Sequence, residues 1–158
     1  MRVLALGALA LCVSGCTAPR QEKVTMSQVQ RISPLRDADV MAFATTRDAA
    51  ACRAFYEGKL GLRVLVEDSL ALMLDSGGTV IRIQKIPTHE PEKFTVLGWK
   101  VSDIRATAGR LKEAGVKIEL YDWLDIQDDS GVATFSNGDM VAWFKDPDGN
   151  ILSLAQLK

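Results

Sequence analysis

Met140-Val-Ala-Trp-Phe-Lys-Asp-Pro-Asp-Gly-Asn-Ile-Leu-Ser-Leu-Ala-Gln156 decides how this chain is read. Two short apolar runs flank Asp146-Pro147-Asp148-Gly149. Pro147 presets a turn φ and Gly149 supplies the permissive position that closes the turn, so the stretch predicts a β-hairpin. Val141, Trp143, Ile151, Leu152 and Leu154 give its arms the apolar, partly alternating pattern of strands with a buried face, which places the hairpin in the interior of a sheet.

Working outward, the same plan is found twice. Residues 40–46 form a strand candidate that leads into Asp48, a good helix N-cap, and then into helical spacing over residues 49–59, stopped near Gly61. Asp103 stands 55 residues after Asp48. It follows a second strand candidate, residues 95–101, and precedes Ile104, Ala108 and Leu111 at helical spacing, stopped at Gly115. Three strand-like runs follow each helix: residues 63–67, 71–74 and 79–84 in the first half, 117–121, 140–144 and 150–156 in the second. The order is βαβββ twice, with Asp75-Ser-Gly-Gly78 turning the hairpin that corresponds to the opening one. Residues 122–139 read as an inserted acidic loop.

A duplicated βαβββ unit ending in Phe144-x-Asp146-Pro-Asp-Gly-Asn150 resembles the vicinal oxygen chelate superfamily, which includes glyoxalase I, extradiol dioxygenases and bleomycin- and fosfomycin-resistance proteins. Asp48 to Phe55-Tyr56 with Leu60-Gly61, and Asp103 with the Leu111 to Ala114-Gly115 helix end, are further matching pieces. The resemblance spans residues 39–156 and implies an α+β fold, in which paired modules, about 39–86 and 94–157, form a curled mixed sheet around a cleft.

In metal-dependent members of that superfamily the ligands lie at the start of the first strand and on the last strand of each module. The matching positions carry Met41, Val96, Arg82 and Ser153. Neither apolar side chain is a ligand for an oxygen and imidazole site, a guanidinium cannot coordinate, and a lone serine hydroxyl is a poor donor. With one histidine and three cysteines, the chain is also thinly supplied with soft ligands. The expectation is a domain with no metal and no cofactor.

Side chains two apart share a face of a strand. If Met41 and Val96 face the cleft, as the resemblance implies, then Phe43, Thr45, Val80, Arg82, Gln84, Gly98, Lys100, Ile151, Ser153 and Ala155 do so too. Met41, Phe43, Thr45, Arg82, Gln84, Lys100 and Ser153 are the expected ligand-binding residues. They make a mostly apolar lining for a small organic molecule whose anionic or carbonyl end meets Arg82. The alternative leaves Arg82 and Lys100 reaching solvent, with Met41, Phe43 and Val96 filling a closed core.

Other chemistry-bearing residues have plainer readings. His89 lies in the linker between modules, flanked by acids, and is read as solvated, although its ordinary pKa suits acid–base work. Cys52 shares a helix face with Phe55 and Tyr56 and is read as a buried packing thiol. Trp99 is expected under the second helix, and Trp123 and Trp143 in core or cleft wall. Asp125, Asp128 and Asp129 do not have calcium-loop spacing and read as a solvated acidic loop.

At the N-terminus, Arg2 precedes an apolar run of eleven residues, Val3 to Val13, followed by Ser14, Gly15 and Cys16. A membrane-spanning helix needs about 20 apolar residues, so the run reads as a secretory leader. Val13-Ser-Gly-Cys16 resembles the bacterial lipobox, which implies cleavage of residues 1–15 and lipidation of Cys16. Residues 16–37 would then be a tether, and residues 38–158 a domain held at the cell envelope, facing the periplasm or the cell exterior. The competing reading starts translation at Met26 and leaves the protein in the cytosol. Cleavage removes one basic residue from the 19, giving a net charge of -2 in place of -1. No segment concentrates Lys or Arg as a nucleic-acid surface requires.

The leading expectation is therefore a lipid-anchored, metal-free protein that binds a small molecule in the cleft. A second reading is an enzyme, a lyase, dioxygenase or transferase, with a displaced site drawing on Glu67, Asp75, His89 or Glu119. A third is a non-catalytic interaction domain, dimeric through strand edges or module exchange.

Overall fold

A computed structural model describes residues 34–158. The expected leader, the lipidation site Cys16 and most of the tether lie outside the described residues. Asp39–Lys158 forms one compact unit.

The first module contains β1 (Met41–Thr46), α1 (Ala49–Arg53), β2 (Arg63–Glu67), β3 (Ala71–Ser76) and β4 (Thr79–Lys85). Asp48 caps α1 as its sequence position predicts, accepting from the backbone N–H groups of Ala50 and Ala51 at 3.0 Å. The helix then widens into a π-helical segment over Ala54–Lys59, closed by the Leu60 N–H bonding to the Phe55 carbonyl. Cys52, Phe55 and Tyr56 are all buried. Phe55 and Tyr56 meet edge to face at 5.3 Å.

The second module repeats the plan with β5 (Thr95–Lys100), α2 (Ile104–Glu113), β6 (Val132–Thr134), β7 (Met140–Lys145) and β8 (Ile151–Gln156). Asp103 caps α2 through the Ala106 N–H. Strand orders are β1-β4-β3-β2 and β5-β8-β7-β6, with the first and last strands of each module parallel. The βαβββ repeat and the α+β class follow as the sequence indicates. The sheets do not close into a barrel, and β1 lies against β5 at the module boundary.

One strand departs from expectation. Residues 117–121 form no regular strand, and only Ile118 bridges to Phe144 while the Glu119 N–H reaches the Trp143 carbonyl at 2.7 Å. The chain leaves the edge of β7 there and returns as β6. Gln127 holds the excursion together: its amide donates to the Glu119 and Gly131 carbonyls at 2.9 Å and accepts from the Tyr121 N–H at 2.8 Å. The inserted loop has thus divided the edge strand into two pieces.

Helix-facing side chains of both sheets, chiefly Leu72, Leu74, Ile81, Ile83, Phe144 and Leu152, make the core with Ile104 of α2. Burying such side chains stabilises a fold by roughly 1.5–3 kcal/mol each. This layer fixes which way the remaining strand residues point.

Candidate functional site

The face of each sheet opposite the core carries the expected ligand-binding residues. In the first sheet Met41 pairs with Val80, Phe43 with Arg82 and Thr45 with Gln84, and Arg82 in turn pairs with Met73. In the second, Gly98 pairs with Ser153 and Lys100 with Ala155. The alternation with the buried Ala44, Thr46, Ile81, Ile83, Leu97 and Leu154 is maintained. Met41 and Phe43 are 42% and 55% exposed, so these positions do not fill a closed core.

Only some of the seven residues converge. A pocket of about 260 Å³ at the module boundary is lined by Phe43, Thr45, Gln84 and Val96, together with His89, Glu92 and Asn150. Met41, Arg82, Lys100 and Ser153 are not part of its lining. Arg82 is half-buried beside it. Among the described residues it has no hydrogen bond and no ion pair, and Asp68 acts on it only at longer range.

His89 is not the solvated linker residue that its acidic neighbours suggest. Its Nδ1 lies 2.9 Å from Thr45 Oγ1 and its Nε2 lies 2.8 Å from Asn150 Oδ1. The Asn150 amide nitrogen donates to the Thr45 carbonyl and to Asp146, so Asn150 Oδ1 must accept, and His89 Nε2 carries a proton. These partners are 44 and 61 residues away, out of reach of any local sequence signal.

The opening motif explains the geometry around His89. Asp146, Asp148 and Asn150 are all buried, and the hairpin turn they form is clamped onto the end of β1 and onto the π-helical segment. Asp146 Oδ1 accepts from the Asp148 and Asn150 N–H groups, and Asp146 Oδ2 accepts from the Tyr56 hydroxyl at 2.9 Å. Asp148 accepts from the Thr46 hydroxyl, the Arg47 N–H and the Arg47 guanidinium. Burial opposes ionisation of Asp148, but those donors outweigh it and hold its carboxyl below the ordinary value. Gly149, at φ 88°, supplies the left-handed conformation that the turn needs.

Met41, Val96, Arg82 and Ser153 occupy the four expected metal-ligand positions. Val96 and Arg82 offer no donor, Met41 offers only a soft thioether sulfur unsuited to an oxygen and imidazole site, and Ser153 is pressed against β5. A Cβ on Gly98 would approach Ser153 Oγ to 2.7 Å, so the glycine is what admits this serine between the strands. Among the described residues no group of three or more His, Cys, Asp or Glu is placed to hold a metal ion. These residues do not fit the superfamily's usual ion. Asp75 is engaged with Arg63, Glu67 with Arg53 and Lys85, and Glu119 lies near Lys117 and Lys145, each in an ion pair away from the pocket.

Burial, with Asp146 nearby, pushes the Cys52 thiol up to about 12, so it is not a nucleophile near neutrality. Asp128 is the organiser of the inserted loop: hydrogen bonding from Ser130, Arg105 and the Val132 N–H holds its carboxyl far below the usual range, against the opposing effect of desolvation. Trp99 lies beside Thr107 and Leu111 of α2, stacks on Phe144 at 6.2 Å and donates to Ser76 Oγ at 2.8 Å. Trp143 is on the open face and meets Tyr121 edge-on at 5.8 Å, while Trp123 on the loop is largely exposed.

Paired βαβββ modules with this strand order define the vicinal oxygen chelate class. Residues 40–154 match the Glyoxalase/Bleomycin resistance protein/Dioxygenase superfamily, and the chain belongs to it. Solved structures with the same fold include a bleomycin resistance determinant encoded on the transposon Tn5, 22% identical with a TM-score of 0.61, covering 76% of this chain and 98% of that one. A lactoylglutathione lyase from Agrobacterium tumefaciens is 15% identical with a TM-score of 0.59, covering 76% and 93%. A glyoxalase family protein from Enterococcus faecalis is 24% identical with a TM-score of 0.57, covering 74% and 94%. No curated protein matches the chain significantly.

Proposed function

We propose that this protein binds a small organic molecule on the open faces of its two sheets, using the boundary pocket and Arg82 without a metal ion, while a lipid on Cys16 holds it at the cell envelope. The observation that carries the binding reading is Arg82, a half-buried arginine without an ion-pair partner among the described residues, in register with Phe43 on an otherwise mostly apolar face. A guanidinium favours a planar anion or a carbonyl oxygen, and Phe43, Gln84 and Val96 offer the adjoining apolar wall and a hydrogen-bonding amide. Both ring nitrogens of His89 are already engaged, so its role in this reading is to position Thr45 and Asn150 rather than to transfer protons.

Thermal-shift screening of small carboxylates and ketones tests the reading. A hit should stabilise the protein in a saturable way and lose its effect in Arg82→Ala. A panel with no hit, or a hit indifferent to that substitution, would refute it. Metal analysis of protein purified without chelator tests the metal-free part, and stoichiometric zinc, nickel, iron or manganese would overturn it. Fatty-acid labelling tests the anchor, which requires incorporation that disappears in Cys16→Ser.

The exposure of Met41 and Phe43 favours one addition, a second copy of the chain covering the open faces. Sedimentation equilibrium would then give a dimer, weakened in Phe43→Ser, whereas a monomer at high concentration would exclude it.

A further inference from the structure

The repeat creates two seams between the modules. At the first, β1 and the π-helical segment meet the β7–β8 turn; at the second, β5 and α2 meet the β3–β4 turn. The residues that face one another are counterparts. Tyr56 stands eight residues after the capping Asp48, and Leu111 eight residues after the capping Asp103. Asp146 closes its hairpin by bonding to the Asn150 carbonyl, as Ser76 closes the other by pairing with Thr79.

The first seam is filled. The Tyr56 ring is fully buried and its hydroxyl reaches Asp146. At the second seam a leucine stands in place of the tyrosine and a serine in place of the aspartate, and a half-open pocket of about 190 Å³ lies between them. Leu60, Leu62, Trp99, Phe144 and Leu154 supply most of its remaining wall, and no lining residue is charged. Ser76 Oγ accepts from the Trp99 indole, and among the described residues nothing accepts the Ser76 hydroxyl proton. Thr107, the other lining hydroxyl, already donates to the Asp103 carbonyl and accepts from Arg110.

An apolar cavity of about 150 Å³ stays dry and takes up benzene, so this space is large enough for one ring with a small substituent. A charged ligand would lose hydration without gaining an ion pair. We infer that the second seam is a binding site for a neutral single-ring aromatic compound of the phenol type. Its ring takes the place that the Tyr56 ring fills in the first seam, and its oxygen accepts from Ser76. The site is separate from the open-face cleft and shares no lining residue with the boundary pocket.

The probe is 4-methylphenol, the tyrosine side chain as a free molecule, titrated into the ¹⁵N-labelled full chain and followed at the indole N–H signals of Trp99, Trp123 and Trp143. A saturable shift of the Trp99 signal, with the other two unmoved, is expected. Leu111→Tyr, which supplies the missing ring from the chain itself, should weaken binding at least about tenfold, and Ser76→Ala about three- to tenfold, as for loss of one hydrogen bond. If Leu111→Tyr does not fold, Leu62→Phe at the pocket wall should give the same loss. The inference is overturned by the absence of a saturable Trp99 shift, by unchanged affinity in a folded wall variant, or by a dominant shift at Trp143. It is also overturned if the Trp99 signal moves with protein concentration alone, since a neighbouring copy would then be filling the pocket.

Discussion

Tyr56→Phe is the sharpest test of the idea that the Asp146-Pro-Asp-Gly-Asn150 turn is a latch between modules. The substitution keeps the ring, which is fully buried and packed edge to face on Phe55, and removes only the hydroxyl that donates to Asp146 at 2.9 Å. Asp146 Oδ2 then retains a single donor, the Asn150 amide at 2.8 Å. A hydrogen bond to a charged group contributes about 1.5–3 kcal/mol, and its buried acceptor cannot recover the loss from water. At about 4 °C per kcal/mol for a domain of this size, the melting temperature should fall by about 6–12 °C. Urea denaturation followed by circular dichroism gives the free energy directly. The slope should be unchanged, because the modules share one core and unfold together. Paired with Asp146→Ala in a double-mutant cycle, the coupling should be about 1 kcal/mol or more. A loss below about 0.5 kcal/mol, or additive single variants, would refute the latch.

Cys52, with its thiol pushed up to about 12 by burial, should not react with a thiol reagent at pH 8 until the protein is unfolded; fast labelling of the native protein would contradict its buried position. Asp148 has a lowered folded pKa, so its contribution to stability is complete above the unfolded carboxylate value of about 3.9 and is lost as pH falls through the lower folded value. Urea midpoints should therefore be level between pH 5 and 8 and decline below about pH 4, with a smaller decline in Asp148→Asn. Gly98→Ala places a Cβ 2.7 Å from Ser153 Oγ and should cost about 1–3 kcal/mol in urea denaturation, with partial recovery in the Gly98→Ala, Ser153→Ala double variant.

The fold was legible because its signals are local. Asp48 and Asp103 announce two helix starts, and Pro147 with Gly149 announces a turn. Alternation groups Met41, Phe43 and Thr45 on one face of β1, but it is the resemblance that makes this the open face, since the bulkier Met41 and Phe43 would by pattern alone be the buried side. The errors arise where partners are distant in sequence. Residues 117–121 carry a strand pattern, but edge pairing is decided by where the inserted loop leaves β7, and three residues, Val132–Thr134, are too few to show a period. His89 looked solvated because its neighbours are acidic, while its hydrogen-bond partners come from β1 and the β7–β8 turn. The roles of Asp146 and Asp148 as a latch were hidden for the same reason: a turn motif states its own conformation but not what it is clamped to. The open-face residues were placed by the resemblance at Met41 and Val96 and extended along each strand by alternation, yet which of them share a pocket depends on how the modules meet.

Calorimetric titration of the strongest carboxylate or ketone hit into wild type and Arg82→Ala tests the central claim most directly. The expected result is one binding site per chain with an enthalpy that disappears, or an affinity at least tenfold weaker, in the variant. Equal affinity in the two proteins would contradict a ligand held on the open face by Arg82.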